Sequence, residues 1–328
     1  MDLFTPMVSE DAQHPNFKHV MTAPASHRRV VQSWAEGFID RDGKFVKEFQ
    51  TRFNSCFWEL YIFACLKELG MPVDFQFTSP DFVVTGGSCP CSIECVVAEN
   101  AVGKQPEHNV TITSRVENPE EPHREEVTYE ASLRLANSLS SKHAHFISHY
   151  GRLDHVAPKP FVLAVAPFEE PQFWIQRLDG ILSVLYAGKL DHVRKANGTT
   201  IPLGFFLDKR MTEISAVMFS NVATYGKVVA LASDKESIRS FVTARHGHKE
   251  LEIYVENYTE SLLDGLFVLH NPTAPFPLEK QKFKEHGIAQ FYHNGERFVA
   301  DVPNGYLLER SCMSFEPHDP GSASLGTR

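Results

Sequence analysis

At 328 residues, 42% apolar and 22% charged, the chain has the composition of an ordinary globular protein able to bury one large core or two smaller ones, which excludes disorder as its main theme. It contains no run of about eighteen apolar residues to cross a membrane, and its first residues, MDLFTPMVSEDAQHPNF, lack the basic-then-apolar layout of a signal peptide, so no membrane partner and a cytoplasmic location are expected. A net charge of -9 excludes a protein that coats nucleic acid non-specifically by counterion release, though not one with a local basic groove.

Residues 1–33 carry Pro6, Pro15 and Pro24 without a lasting hydrophobic period and are expected to form an arm lying on the domain surface. Next, Arg41-Asp42-Gly43 predicts a tight turn between two short extended pieces. The stretch 49–70, FQTRFNSCFWELYIFACLKELG, predicts a helix, because Phe49, Phe53, Phe57, Leu60 and Ala64 recur at helical spacing and Gly70 supplies a stop. Glu59 lies inside its most apolar turn.

Two strands are expected over 73–84 and 92–98, joined by a turn around Gly86-Gly87-Ser88. Asp81 follows Pro80 at the head of Phe82-Val83-Val84, and Glu94 sits within Ile93-Glu94-Cys95-Val96-Val97. Strand side chains alternate, so Ser92, Glu94 and Val96 share one face while Ile93, Cys95 and Val97 share the other. Such a hairpin can bring Asp81 and Glu94 together, and converging carboxylates offer hard oxygen ligands to a divalent cation, magnesium being the natural occupant. Taken singly, the same acids have ordinary uses: Asp81 capping a turn, Glu94 pairing with a base on an edge strand, and Glu59 reaching solvent.

Residues 99–127 are polar and proline-containing and are expected to form a long loop. A helix from about Thr128 places Leu135, Leu139, Phe146 and Tyr150 on an apolar stripe, with Lys142 on its inward side. A lysine there can turn toward a site or snorkel at the helix flank. Between Arg134 and Lys159 a basic block that includes His143, His145, His149, Arg152 and His155 holds one acid, Asp154, and forms either a phosphate-facing surface or a solvated one.

The run 161–166, bounded by prolines, predicts a central strand covered on both faces, followed by a helix over 172–186 with Gly188 as its stop. Helix, hairpin, helix, strand, helix is an α/β order with a central sheet between helices. Beyond Gly188, strands are expected over 201–207, 214–221, 227–232, 266–270 and 295–300, and short helices over 238–245 and part of 250–265. Six cysteines read as reduced thiols; Cys89, Cys91 and Cys95 have no standard zinc spacing, and a zinc-stabilised interaction module would require them to converge. No Gly/Ser linker marks a second domain. The expected organisation is an arm (1–33), an α/β core (34–190), an extension of the same domain (191–317) and a flexible tail (318–328).

A helical Glu59, then Pro80-Asp81, then Ile93-Glu94 resembles the PD-(D/E)xK nuclease superfamily. The resemblance implies a restriction-endonuclease-like α/β core, a mixed central sheet flanked by helices, here with additional C-terminal strands. It also implies a metal-dependent nuclease that hydrolyses phosphodiester bonds of nucleic acid, DNA ahead of RNA, with Mg2+ or Mn2+. By the resemblance, Asp81 and Glu94 are metal ligands, and Glu59 is the helical acid that assists a second cation. The superfamily lysine two residues after the second acid is Val96 here. Members are known in which that lysine has migrated to the following helix, which assigns Lys142 the catalytic role, with Arg134 and His145 as phosphate contacts. Val96 and the acidic net charge motivate the alternative, a nuclease-like fold without the chemistry that serves as a binding or scaffold protein. The oligomeric state is left open, a homodimer being compatible.

Overall fold

Proline obscures the first two helices of the chain because it starts both of them. The computed structural model describes residues 1–101, 103–108, 121–169, 171–233, 239–249, 252–254, 258–294 and 296–314. In place of a surface arm, residues 1–33 carry α1 (Pro15–Thr22) and α2 (Ala25–Trp34), which bury Phe17, Val20, Val31 and Trp34. Pro15 occupies the first position of α1, where no amide hydrogen is needed, and Pro24 immediately precedes α2.

The Arg41-Asp42-Gly43 turn forms, with Gly43 at φ 73° and the Asp40 carboxylate accepting from the Gly43 and Phe45 amides. It leads into a helix, α3 (Phe45–Thr51), and is not flanked by strands. The helix expected over 49–70 is divided at Arg52 (φ -130°, ψ 47°), so α4 spans Phe53–Glu68 and Gly70, at φ 62°, follows its end. Of the 16 residues of α4, 11 are buried, and they lie on every side. A helix with no polar face is stable only when protein surrounds it.

β1 (Phe82–Val84) pairs antiparallel with β2 (Cys91–Glu99), in the register Phe82↔Ile93 and Val84↔Cys91. Of the strand expected over 73–84, the described pairing consists of β1 and an isolated antiparallel bridge between Val73 and Val84. α5 (Glu121–Ser148) begins earlier than expected and takes up the end of the presumed loop; residues 109–120 of that loop lie outside the described residues. β3 (Phe161–Phe168) lies parallel to β2, and a 3-10 turn at Phe173–Gln176 precedes α6 (Asp179–Tyr186), where one helix was expected.

β4 (His192–Arg194) and β5 (Thr200–Pro202) form a separate ribbon. β6 (Ala216–Phe219) then runs parallel to β3. Residues 227–232, expected as a strand, belong to α7 (Tyr225–Leu231), whose Thr224 hydroxyl caps it by accepting from the Gly226 amide. Residues 238–245, expected as a helix, hold β7 (Arg239–Arg245). In 250–265 the described residues carry β8 (Glu252–Tyr254) and no helix. β9 (Phe267–His270), α8 (Gln281–Glu285), β10 (Ala289–His293), β11 (Phe298–Asp301) and β12 (Leu307–Ser314) complete the order. The expected tail, 318–328, lies outside the described residues.

The main sheet is mixed and seven-stranded, in the order β1-β2-β3-β6-β9-β10-β11, while β12-β7-β8 form a second, three-stranded sheet. Every residue of β3 is buried, and alternate residues enter different layers. Val162, Ala164 and Ala166 pack in the core that contains α4, whereas Phe161, Leu163 and Val165 pack in the core beneath α5 and α6. Helices therefore cover both faces, which is the α/β sandwich expected. The Trp58 indole N–H donates to the Ala164 carbonyl at 2.8 Å, pinning α4 on the first face. No helix among the described residues is long and apolar enough to cross a membrane.

Candidate active site

The β1–β2 register, continued by one residue, sets Asp81 opposite Glu94. The backbone amide of Cys95 donates to Asp81 Oδ2 at 2.7 Å and so fixes the carboxylate at the edge of the sheet. Glu94 is 5% exposed. Its strand neighbours Ile93, Cys95 and Val97 pack with the α4 core and Val96 with the α5 core, so alternation turns Glu94 toward α5.

There Lys142 Nζ donates to Glu94 Oε1 at 2.6 Å, an ion pair whose lysine side chain is 31% exposed and whose glutamate is 6% exposed. Lys142 thus turns into the acid cluster and does not snorkel away from it. The second oxygen, Glu94 Oε2, is buried and accepts no hydrogen bond. Nearby, burial raises the pKa of the Tyr150 phenol, and the negative charge of Glu94 raises it further.

Two of the three acids are raised, chiefly by burial. Burial, then the charge of Glu94, pushes the Asp81 carboxyl up to about 7, against the opposing pull of the Cys95 amide, Lys142 and Arg41. Burial, then Asp81, holds the Glu59 carboxyl well above the usual range, and Arg41 opposes this shift too. Cys95, next to Glu94 in β2, is likewise raised, chiefly by burial. The pull of Arg41, joined at Asp81 by Lys142, therefore does not offset the burial of Asp81 and Glu59. That imbalance is what a hard cation with oxygen ligands would relieve.

Arg41 was not anticipated as a site residue. Its guanidinium reaches from the turn before α3 to the Phe77 carbonyl (2.5 Å), in the segment leading to Asp81. Tyr150, anticipated only as part of an apolar stripe, and His155 also belong to the surroundings. The His155 ring stacks on Phe77 (centroids 4.0 Å apart) and its Nε2–H donates to the Ser79 carbonyl at 2.7 Å.

Arg134 is not brought to this cluster. It lies eight residues before Lys142 on α5, about 12 Å along the axis, and donates to the Glu99 and Asn100 carbonyls at the end of β2. His145 is exposed on α5, with its ring edge-on to Tyr150 at 4.6 Å, so it stands beside the cluster without touching the acids. His143 is engaged with Glu213 at 2.9 Å. Cys91 and Cys95 are four residues apart on one strand, roughly 13 Å, which prevents the three cysteines from converging on one ion.

Among the described residues, the one group of three His, Cys, Asp or Glu side chains with ligand atoms all within 4.8 Å of one another is His14, Glu107 and His108. The Asp81, Glu94 and Glu59 cluster is more open than that. No family model matches the chain, and neither a curated protein nor a solved structure matches it.

Proposed function

We propose that the protein is a metal-dependent nuclease of the PD-(D/E)xK kind, acting on phosphodiester bonds of nucleic acid, DNA before RNA, with Lys142 in place of the missing motif lysine. The observation that carries the reading is the 2.6 Å contact between Lys142 Nζ and the buried Glu94, because it joins a lysine from the following helix to the second motif acid. The order of α4, the β1–β2 hairpin, α5 and β3 supports a restriction-endonuclease-like core.

The acids suit Mg2+ or Mn2+. They offer carboxylate oxygens, one of them (Glu94 Oε2) buried without a donor, and the cations nearby offset the burial of Asp81 and Glu59 only in part. Asp81 and Glu94 would hold the ion, with Glu59 contributing from α4. Such an ion, when bound, supplies Lewis-acid polarisation of the phosphate and neutralises charge that develops during displacement. The Cys95 amide aims Asp81, and Lys142 anchors Glu94 by a charge-assisted hydrogen bond. With part of its side chain exposed, Lys142 can also offset negative charge on an approaching phosphate. His145, exposed next to Tyr150, would meet a phosphate further along the strand. Arg134, bound to backbone carbonyls, has a structural task.

The rival reading, a binding or scaffold protein on the same fold, is disfavoured by the inward direction of Lys142. The test is cleavage of mixed single- and double-stranded DNA and RNA with Mg2+ or Mn2+, with wild type beside Asp81→Ala and Lys142→Ala. Cutting by wild type alone supports the nuclease. Activity retained in Asp81→Ala, or a wild type that is inert and binds neither metal in calorimetry, rejects it.

A further inference from the structure

Away from the acid cluster, His14, Glu107 and His108 each present a ligand atom within 4.8 Å of the other two. We propose that this triad is a separate zinc site that ties the segment after β2 to the beginnings of α1 and α4. It does not rest on the nuclease reading, since none of its residues belongs to the acid cluster.

Two imidazoles and one carboxylate form a borderline donor set that favours zinc over magnesium, in contrast with the all-oxygen set at Asp81 and Glu94. The carboxylate is already oriented. Glu107 Oε1 accepts from Asn54 Nδ2 at 2.8 Å, from Asn16 Nδ2 at 2.9 Å and has His108 Nδ1 at 3.2 Å. These contacts anchor one oxygen of the carboxylate. Asn16 Nδ2 also donates to Asn54 Oδ1 at 2.9 Å, so the two amides brace each other as well as the carboxylate. Outer-shell contacts of this kind set the direction of metal ligands.

The rings are similarly placed. His14 and His108 stand edge to face with centroids 5.4 Å apart, and His14 is backed by Phe53 at 6.3 Å. The side chains of Glu107 and His108 are 11% and 21% exposed, which shelters the site yet leaves an ion a way in. Three protein ligands leave a fourth tetrahedral position for water or an external group.

One contact must change. His14 Nδ1 now accepts from the Asn16 amide at 3.1 Å, as the cap of α1. Coordination through Nδ1 uses the same lone pair, and coordination through Nε2 places a proton on Nδ1 facing that amide. Either way the cap bond is given up, a small loss beside zinc coordination.

The experiment uses the full chain, stripped with a chelator and titrated with Zn2+ in calorimetry and with Co2+ in visible absorption. Wild type and Asp81→Asn are run beside His108→Ala, His14→Asn and Asn54→Ala. Asparagine at position 14 retains a capping side chain, and His108→Ala leaves the cap untouched, so a folded variant is available whichever substitution disturbs α1. We expect one zinc per chain in wild type and in Asp81→Asn, with tetrahedral cobalt bands, and affinity at least about a hundredfold lower in both histidine variants. Asn54→Ala is expected to bind about tenfold more weakly through loss of its contact with Glu107. A wild type that takes up no zinc, or His108→Ala binding as tightly as wild type, overturns the site.

Discussion

The Lys142 ammonium lies 2.6 Å from one oxygen of Glu94, while the other oxygen of the same buried carboxylate has no donor. The pair is thus half complete: the lysine satisfies one oxygen and leaves the other without a partner. Removing the lysine should therefore act on both stability and activity. Lys142→Met is expected to destabilise the protein by about 1–3 kcal/mol, below the figure for a fully buried pair because the lysine is partly solvated. Cleavage is expected to fall by about a hundredfold or more, with Lys142→Arg recovering stability better than rate because its flat guanidinium differs from a point charge. Urea unfolding and single-turnover cleavage separate the two effects. Equal rates in wild type and Lys142→Met would remove the lysine from the mechanism.

Asp81 makes the metal-free protein sensitive to pH. Its folded pKa, about 7, is raised above the ordinary 3.8, so between these values the folded chain holds a proton that the unfolded chain has released. The contribution to stability is full below the unfolded value and is lost as pH rises through about 7, amounting to on the order of 4 kcal/mol. Glu59, raised in the same direction, adds to the trend. In chelator, Asp81→Asn should melt higher than wild type at pH 8 and show a smaller fall from pH 5 to pH 9. Magnesium should raise the melting temperature of wild type at pH 8 and leave Asp81→Asn nearly unchanged. A lower metal-free melting temperature for Asp81→Asn at pH 8 would contradict the crowding of acids around Asp81.

Arg41 opposes the upward shifts of both Asp81 and Glu59. Without that cation the two acids keep their protons to higher pH. The acid limb of the cleavage pH profile in Arg41→Gln is therefore expected to move toward higher pH, with the rate at the plateau affected less than the position of the limb. A limb that stays in place would show that the guanidinium serves only its contact with Phe77.

A second group of charges, remote in function from the first, holds β12 to the body of the protein. Glu260 pairs with Lys227 at 2.5 Å and with Arg310 at 3.0 Å, all three side chains being at most 1% exposed, and Tyr258 donates to Glu260 at 2.6 Å. Arg310 also donates to the Val222 carbonyl. Glu260→Ala leaves two buried cations without their anion and should cost about 3–5 kcal/mol. Lys227→Met, which leaves the Glu260–Arg310 pair intact and fills the space with apolar atoms, should cost less. Chemical denaturation of both variants checks the order.

The acids and Lys142 were legible in the sequence because each is an exception to its surroundings, a charge set among apolar residues at strand or helix spacing. The all-round apolar α4 and the buried β3 were legible for the related reason that long apolar runs leave few alternatives. What was hidden depended on distant partners. α1 and α2 are too short to show a period, and Pro15 and Pro24, which start them, look like breaks. The Tyr225–Leu231 segment carries β-branched Val228 and Val229 yet is helical, capped by Thr224, while Arg239–Arg245 becomes a strand by pairing with β12, more than sixty residues later in the chain. Arg41 carried no local signal, since only the fold brings its long side chain to Phe77 and the acids. The break at Arg52 and the triad of His14, Glu107 and His108 were invisible for the same reason.

β3, buried from end to end, gives the position of Glu94 a further meaning. β2 lies against it with Glu94 opposite Leu163 and Cys95 opposite Ala164. Were β2 to slide by one residue, every side chain on it would change face, and Glu94 would be turned into the core that contains α4, away from Lys142. A strand made only of valine and isoleucine could tolerate such a slip; this one cannot without burying a charge away from its partner. Glu94 thus ties the alignment of β2 to the presence of Lys142 on the same face.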